Sequence, residues 1–519
     1  MGKISKIRTI VDTIRYLKPI QVYGRFLLYT NTFGGVKITW NKLPVKEGRQ
    51  FVLIESIPFR ESFKSNSFEF LNLKHDFGNH IDWNWLGYGR LWTYNLNYFE
   101  FLDQKDIKKE EGLRVIDDFI AQLQTNKIGL EPYPLSLRCI NWIRFFCKHN
   151  IHSPGYNSVL YKQLQLLTSK IEYHLLGNHL LENSFALLLG AYYFNDSNLY
   201  GIAKKILQKE LNEQTLLDGG HFELSPMYHC TMLFRILDCY NMVTNNSLFN
   251  KEPEVLLRCV AQDMLGWLQA VTFKNGDIPL MNDAAFGIAP NTKQLIEYGD
   301  RLGLTPSKTT LKSSGYRKLS NKKFECVADV GNVGPDYQPG HAHADTLNFE
   351  LHINGRPVIV DTGTSTYEIN QTRFDERSTS AHNTVVIEDK NSSEVWAGHR
   401  VAKRARVEII EDKKTKVHAS HNGYKKLGVI HSRCFEINDD ALIITDNIRN
   451  EGKAYLHFHP CEKITIMDNS IIGSDFIISI DGAKEINICE FCYAPEFNKR
   501  IPSTRIQVLF DDFLTTTFK

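Results

Sequence analysis

The sequence predicts a multidomain chain of separate α and β parts, with stacked helical hairpins followed by an antiparallel β-sandwich. Three observations carry this. Between residues 105 and 305, apolar residues recur every three or four positions. From Phe324 onward the period switches to two. Between them, residues 305–323 are rich in Pro, Ser, Thr, Lys and Gly, as expected of a boundary.

Taken in order, residues 1–50 read as a helical arm, with a basic amphipathic helix over 4–19, followed by an irregular segment. Residues 51–100 are loop-rich and heavy in Trp, Tyr, Phe and Asn. The expected domains are 1–90, an arm and irregular segment packed on the helical domain, 91–315, helical, and 316–519, β-sandwich. Helical spacing is clear at Leu113, Ile116, Phe119, Ile120 and Leu123, and again at Phe185, Leu188, Leu189 and Tyr192. Short strands are predicted from 324–330 to 505–510, among them 441–447, 454–459, 475–480 and 485–494. Asn354-Gly355 between two apolar runs is a hairpin signal, because both residues tolerate positive φ. That hairpin sets Asp361 opposite Asn348.

Bulk properties exclude several classes. A net charge of +2 over 519 residues gives no global field for nucleic acid. No apolar run approaches the length of a membrane span. The ten cysteines are scattered, and Cys489-x-x-Cys492 lies in a strand-like stretch without a second pair at zinc-finger spacing. The basic N-terminus lacks an uninterrupted apolar stretch, so no signal peptide is visible. With the cysteines, this predicts a cytoplasmic location over a periplasmic or secreted one. Nothing in the sequence sets an oligomeric state.

Polar islands mark the helical half where helices begin: Tyr133 to Trp142, Gly177 to Asn183 and Gly219 to His229. In Asn178-His179-x-x-Glu182 the spacing places the side chains on one helical face. Alone, Asn178 reads as an N-cap and Tyr228 as a buried tyrosine. The densest cluster of chemistry is His341 to Asn383, with His341, His343, Asp361 and His382 amid strand-like sequence. Two imidazoles and a carboxylate suit zinc or a similar divalent ion. His341-x-His343-x-Asp345 also resembles a metallohydrolase motif, but Thr346 follows where such enzymes place His, and a hairpin rather than a helix comes next.

Together, Asn178-His179, Ser225-Pro-Met-Tyr228, His341-Ala-His343, Val360-Asp361 and Ala381-His-Asn383, in this order, resemble the heparinase II/III and alginate lyase group of polysaccharide lyases. The resemblance runs from about Trp92 into the β half. It implies an incomplete (α/α) toroid followed by the β-sandwich, with the active site between them. It also implies β-elimination on an acidic, uronate-containing polysaccharide, a glycosaminoglycan such as hyaluronan, chondroitin or heparan sulfate. Alginate or exopolysaccharide cleavage, or glycan binding without catalysis, are the alternatives.

The same resemblance assigns roles. Asn178 and His179 would neutralise the uronate carboxylate, with Glu182 assisting. Tyr228 would protonate the leaving oxygen, and His341 would be the alternative base. Tyr367 is a second acid/base candidate. Arg138, Asn141 and Trp142 would line sugar subsites, and Arg373 and Arg377 would contact anions. His343, Asp361 and His382 would hold one divalent metal ion, expected to be zinc and mainly structural.

Overall fold

The computed structural model describes residues 3–29, 40 and 43–519. Residues 30–39, 41 and 42 of the expected irregular segment lie outside this range. The arm is two helices, Lys3–Ile14 and Pro19–Tyr29, not one. The break falls before Pro19, because proline disfavours helical geometry in the residue it follows and opens the next helix well. The aromatic-rich stretch holds a small sheet of Phe63–Lys64, Ser67–Phe70 and Leu73–Asp76. It packs on helix Gly89–Tyr98, where Phe70 meets Trp92 edge-on at 5.4 Å.

The helical half continues through Lys109–Gln122, Pro132–Lys148, Pro154–Ser169, Gly177–Phe194, Ser197–Gln214, Pro226–Asn245, Glu252–Val271 and Thr292–Arg301. Proline opens the first turn of several, where its missing N–H costs nothing. Gly177–Phe194 is apolar on nearly every side and is buried accordingly, packed against Pro132–Lys148 and Ser197–Gln214. Among the described residues no helix is long and apolar enough to cross a membrane.

The β half begins at Tyr316. A four-stranded antiparallel sheet runs Tyr316–Ser320, Phe324–Asp329, Phe349–Ile353 and Arg356–Ile359. Its last hairpin turns at Asn354 and Gly355, with φ of 51° and 75°. A larger antiparallel sheet is built around strands Leu442–His457, Ile477–Glu496 and Lys499–Phe518. Phe349, Phe435, Phe510 and Phe518 belong to the core between the sheets. The expected pairs 441–447 with 454–459, and 475–480 with 485–494, are each one continuous strand. Register shifts at Asn447/Glu451 and Asp481/Ala483 absorb the Asn and Gly residues that looked like strand ends.

Candidate active site

Tyr228 is placed by local sequence. Ser225 is the N-cap of Pro226–Asn245, its Oγ accepting from the Tyr228 N–H at 3.2 Å, and Pro226 takes the first helical position. The Tyr228 ring therefore projects from the first turn. It stacks on His341 with centroids 3.8 Å apart, and its hydroxyl lies 3.3 Å from that of Tyr367. Burial, above all, raises both phenols above their ordinary value of 10.0. Tyr228 is thus protonated near neutrality, the state of a proton donor.

His341 is held by Asp283, on the loop between helices Glu252–Val271 and Thr292–Arg301. Asp283 accepts from His341 Nδ1 and His343 Nε2, each at 2.9 Å, and from both terminal nitrogens of Arg373, Nη2 at 2.7 Å. Burial alone would raise this carboxyl, but Arg373 and the two imidazole bonds hold it well below the usual range. The backbone is stitched as well. Asp283 N–H donates to His341 C=O at 3.0 Å, and His343 N–H to Asn282 Oδ1 at 3.1 Å. With Nδ1 committed to Asp283, His341 turns its Nε2 towards the cavity, 3.5 Å from Glu223 Oε2.

The third group comes from the start of Gly177–Phe194. Gly177 has φ of 60°, a left-handed conformation that favours glycine, and the Gln338 side chain of the β-half loop lies close against it. Asn178 is not the N-cap; it donates Nδ2–H to Glu223 at 2.8 Å and its backbone N–H at 3.0 Å. His179 Nδ1 lies 3.2 Å from Glu172. Burial opposes charge on His179, but Glu172, Glu223 and Glu182 outweigh it and raise its pKa above 6.5. Burial pushes Glu182 up to about 7 against the pull of Arg235, which bonds it at 3.3 Å.

These groups share a cavity of about 810 Å³ between the halves, within the range of small-ligand sites. Asn178, His179, Glu182 and Tyr228 line it from the helical side, and His341, Tyr367 and His399 from the β side.

Other expected residues lie elsewhere. Arg138 is fully buried, donating to Gln163 and to the carbonyls of Asn97 and Gly129, with Phe119 under its guanidinium. Trp142 is enclosed by Phe99 and Phe119. Asn141 donates to the Tyr98 carbonyl and borders a separate cavity of about 270 Å³. Instead of lining sugar subsites on the cleft wall, Arg138 and Trp142 are core, because Pro132–Lys148 is buried on nearly every face. Arg373 does meet an anion, but it is Asp283, and Arg377 donates to the carbonyls of Ala342 and Gly398. Both arginines are buried and fix the His341 loop from behind, rather than standing free for substrate.

The expected metal ligands are only partly assembled. His382 Nδ1 bonds Asp361 at 2.7 Å, and Asn348 Nδ2 donates to the same oxygen at 2.6 Å, as the hairpin requires. His343 turns instead to Asp283. Its ring is 5.3 Å from that of His382, and His343 Nδ1 and His382 Nε2 are both buried without a hydrogen-bond partner. Among the described residues, the donor atoms that converge within 4.8 Å are those of Asp283, His341 and His399, a group able to hold a metal ion. Asp283 and Glu223 were not singled out from the sequence. Glu223 sits inside the third polar island, whereas Asp283 lies in an aperiodic loop with no motif around it.

The helical domain followed by antiparallel sheets is a fold shared with solved heparinase structures. A heparinase III crystal structure aligns over 96% of this chain and 91% of its own, with TM-score 0.65 and 15% identity. A heparan sulfate lyase mutant from Pedobacter heparinus aligns over 88% and 81%, with TM-score 0.57 and 16% identity. In sequence, a heparin-sulfate lyase of Bacteroides stercoris is 24% identical over 349 residues, 62% of this chain and 50% of the relative. One from Pedobacter heparinus is 27% identical over 246 residues, 41% and 36%. The chain spans half or less of the length of the curated relatives it matches. The family described as "Heparinase II/III N-terminus" matches residues 156–311, and "Heparinase II/III-like, C-terminal" matches 304–516. The chain belongs to the heparinase II/III family.

Proposed function

We propose that the cavity binds a uronate-containing glycosaminoglycan, of the hyaluronan, chondroitin or heparan sulfate type, and cleaves it by β-elimination. The carrying observation is Tyr228, stacked on His341 and in hydroxyl contact with Tyr367, while Asp283 holds the far side of the imidazole. The names of the relatives, all heparin-sulfate lyases, support the same substrate class.

The C5 proton of a uronate is weakly acidic, and neutralising the carboxylate stabilises the charge that develops as it leaves. His179, whose charged form Glu172 favours, and Glu182, poised near neutrality, are suited to that task. Asn178 reaches the carboxylate only by exchanging its bond to Glu223. His341 Nε2 takes the C5 proton, the C4–O4 bond breaks as a C4=C5 double bond forms, and Tyr228 protonates O4. Tyr367 supports the Tyr228 hydroxyl through the contact between them.

His343 and His382 fit a divalent ion of the zinc type, since each presents a buried, unpartnered nitrogen while a carboxylate orients the other. Asp361 accepts three hydrogen bonds and stands behind His382. Such an ion supplies loop geometry: it would tie the segments that present His341.

The test is near-ultraviolet absorbance of the unsaturated uronate on hyaluronan, chondroitin, heparan sulfate and alginate. A rise on one glycosaminoglycan, reduced about 10²–10⁴-fold in kcat by Tyr228→Phe, is expected. Silence on every polymer would overturn the reading. KM for that polymer should rise as pH climbs through the raised pKa of His179, where its charge is lost, and His179→Gln should remove that limb.

A further inference from the structure

We propose that the N-terminal helical arm closes one end of the cleft, and that Arg25 on the arm, with Arg400 of the β half, forms a subsite for a second acidic group of the polysaccharide, a carboxylate or sulfate on a sugar beyond the scissile bond. This rests on the substrate class proposed above.

The arm is a wall of the cavity. Thr13 of the first arm helix, Leu17 of the break, and Gln21 and Arg25, one turn apart on the second helix, all line it. The arm is also fastened to both halves of the molecule. Thr9 Oγ1 donates to Glu394 at 2.6 Å, Trp396 Nε1 donates to Thr13 Oγ1 at 3.1 Å, and the Arg404 guanidinium lies 3.9 Å over Tyr16. On the helical side, Lys18 pairs with Glu213, and buried Gln21 donates to the Leu175 carbonyl at 3.2 Å. A Cβ on Gly24 would stand 2.8 Å from the His174 Cβ, so the arm lies with its backbone close against the helical half.

Several of the charges around the cavity are matched. Glu172 faces His179, Glu100 and Glu182 face Arg235, and Asp336 faces Arg404. Arg25 and Arg400 line the same cavity, and among the described residues neither is ion-paired. The residues outside the described range include no Asp or Glu that could serve. The charge on Arg25 is opposed by burial and then by Arg400, so the two like charges repel one another. An anionic group entering there gains charge-assisted hydrogen bonds and relieves that repulsion, and guanidinium geometry suits both carboxylate and sulfate. Arg400 follows His399, whose ring is 6.2 Å from that of His341, so the subsite adjoins the chemistry.

The experiment is calorimetric titration of the Tyr228→Phe protein with a heparan sulfate hexasaccharide and with the same hexasaccharide after carboxyl reduction and desulfation. Arg25→Gln and Arg400→Gln should each weaken the acidic ligand about tenfold, the worth of a charged hydrogen bond, and leave the neutral one unchanged within about twofold. Arg400 is exposed, so its substitution tests the subsite without loading the fold. Equal weakening of both ligands, no weakening, or no binding to the parent protein would each overturn the subsite. Arginine-dependent binding in a protein that is silent in the absorbance assay would keep the subsite and overturn the elimination.

Discussion

Two buried aspartates in this chain gather the same partners and end up with different uses. Asp446 accepts from His431 Nε2 at 2.7 Å and from Arg433 Nε and Nη2 at 2.7 and 2.9 Å. Asp283 accepts from His341, His343 and Arg373. Behind Asp446 every imidazole nitrogen is consumed inside the protein. His431 Nδ1 meets His421 Nε2 at 3.0 Å, and His421 Nδ1 takes the Gly423 N–H at 3.1 Å. At Asp283 two nitrogens are left over: His343 Nδ1 is buried without a partner, and His341 lines the cavity with Nε2 3.5 Å from Glu223. The constellation of Asp, His and Arg is therefore not what makes a site; an imidazole nitrogen that reaches an opening is. The origins differ too. Arg433 is the direct cross-strand partner of Asp446, and His421 of His431, so sheet register alone builds that cluster. Asp283 comes from the helical half and its three partners from the β half, so that cluster exists only when the halves dock.

The sharpest break of this contrast is Asp283→Asn. It leaves His341 without the acceptor that sets its tautomer, and kcat on the responsive polymer should fall about 10²–10⁴-fold. An unchanged kcat in the folded protein would remove Asp283 from the mechanism. Next comes Asp446→Asn, which leaves the Arg433 guanidinium buried and unpaired. Stability in denaturant should fall about 3–5 kcal/mol, with kcat per folded molecule intact. The smallest effect is the pH dependence of that loss. Burial would raise the Asp446 carboxyl, but Arg433 and His431 hold it down at about 2, below the ordinary 3.8. A depressed carboxyl stabilises above its unfolded pKa and loses that contribution as pH falls through the folded value, here about 2 kcal/mol. The gap between wild type and Asp446→Asn should therefore narrow as pH drops from about 4 to about 2. A gap that stays constant would mean that packing, not charge, carries the cluster.

Much of the site was legible because it is local. The Asn354-Gly355 turn brings Asn348 to Asp361, and Ser225-Pro226 aims Tyr228 from the first turn of its helix. The pairing of His343 with Asp283, and of Asn178 with Glu223, was not legible, since the partners are 60 and 45 positions apart and no periodic pattern joins them. Arg138 and Trp142 misled for the opposite reason. Polar and aromatic side chains at a helix start look like a binding rim, and only the neighbouring helices show that this face is covered.

Sequence periodicity and turn chemistry by themselves determined the order of the two architectures, the tight hairpin and the helix that carries Tyr228, because each depends on residues within a few positions of one another. Tertiary structure alone decided which imidazole nitrogens face the cavity, which arginines are spent on internal anions, and that the arm carrying Arg25 forms part of the cleft wall. Those outcomes depend on how the two halves and the arm meet, and a contact between distant segments leaves no local signature in the chain that makes it.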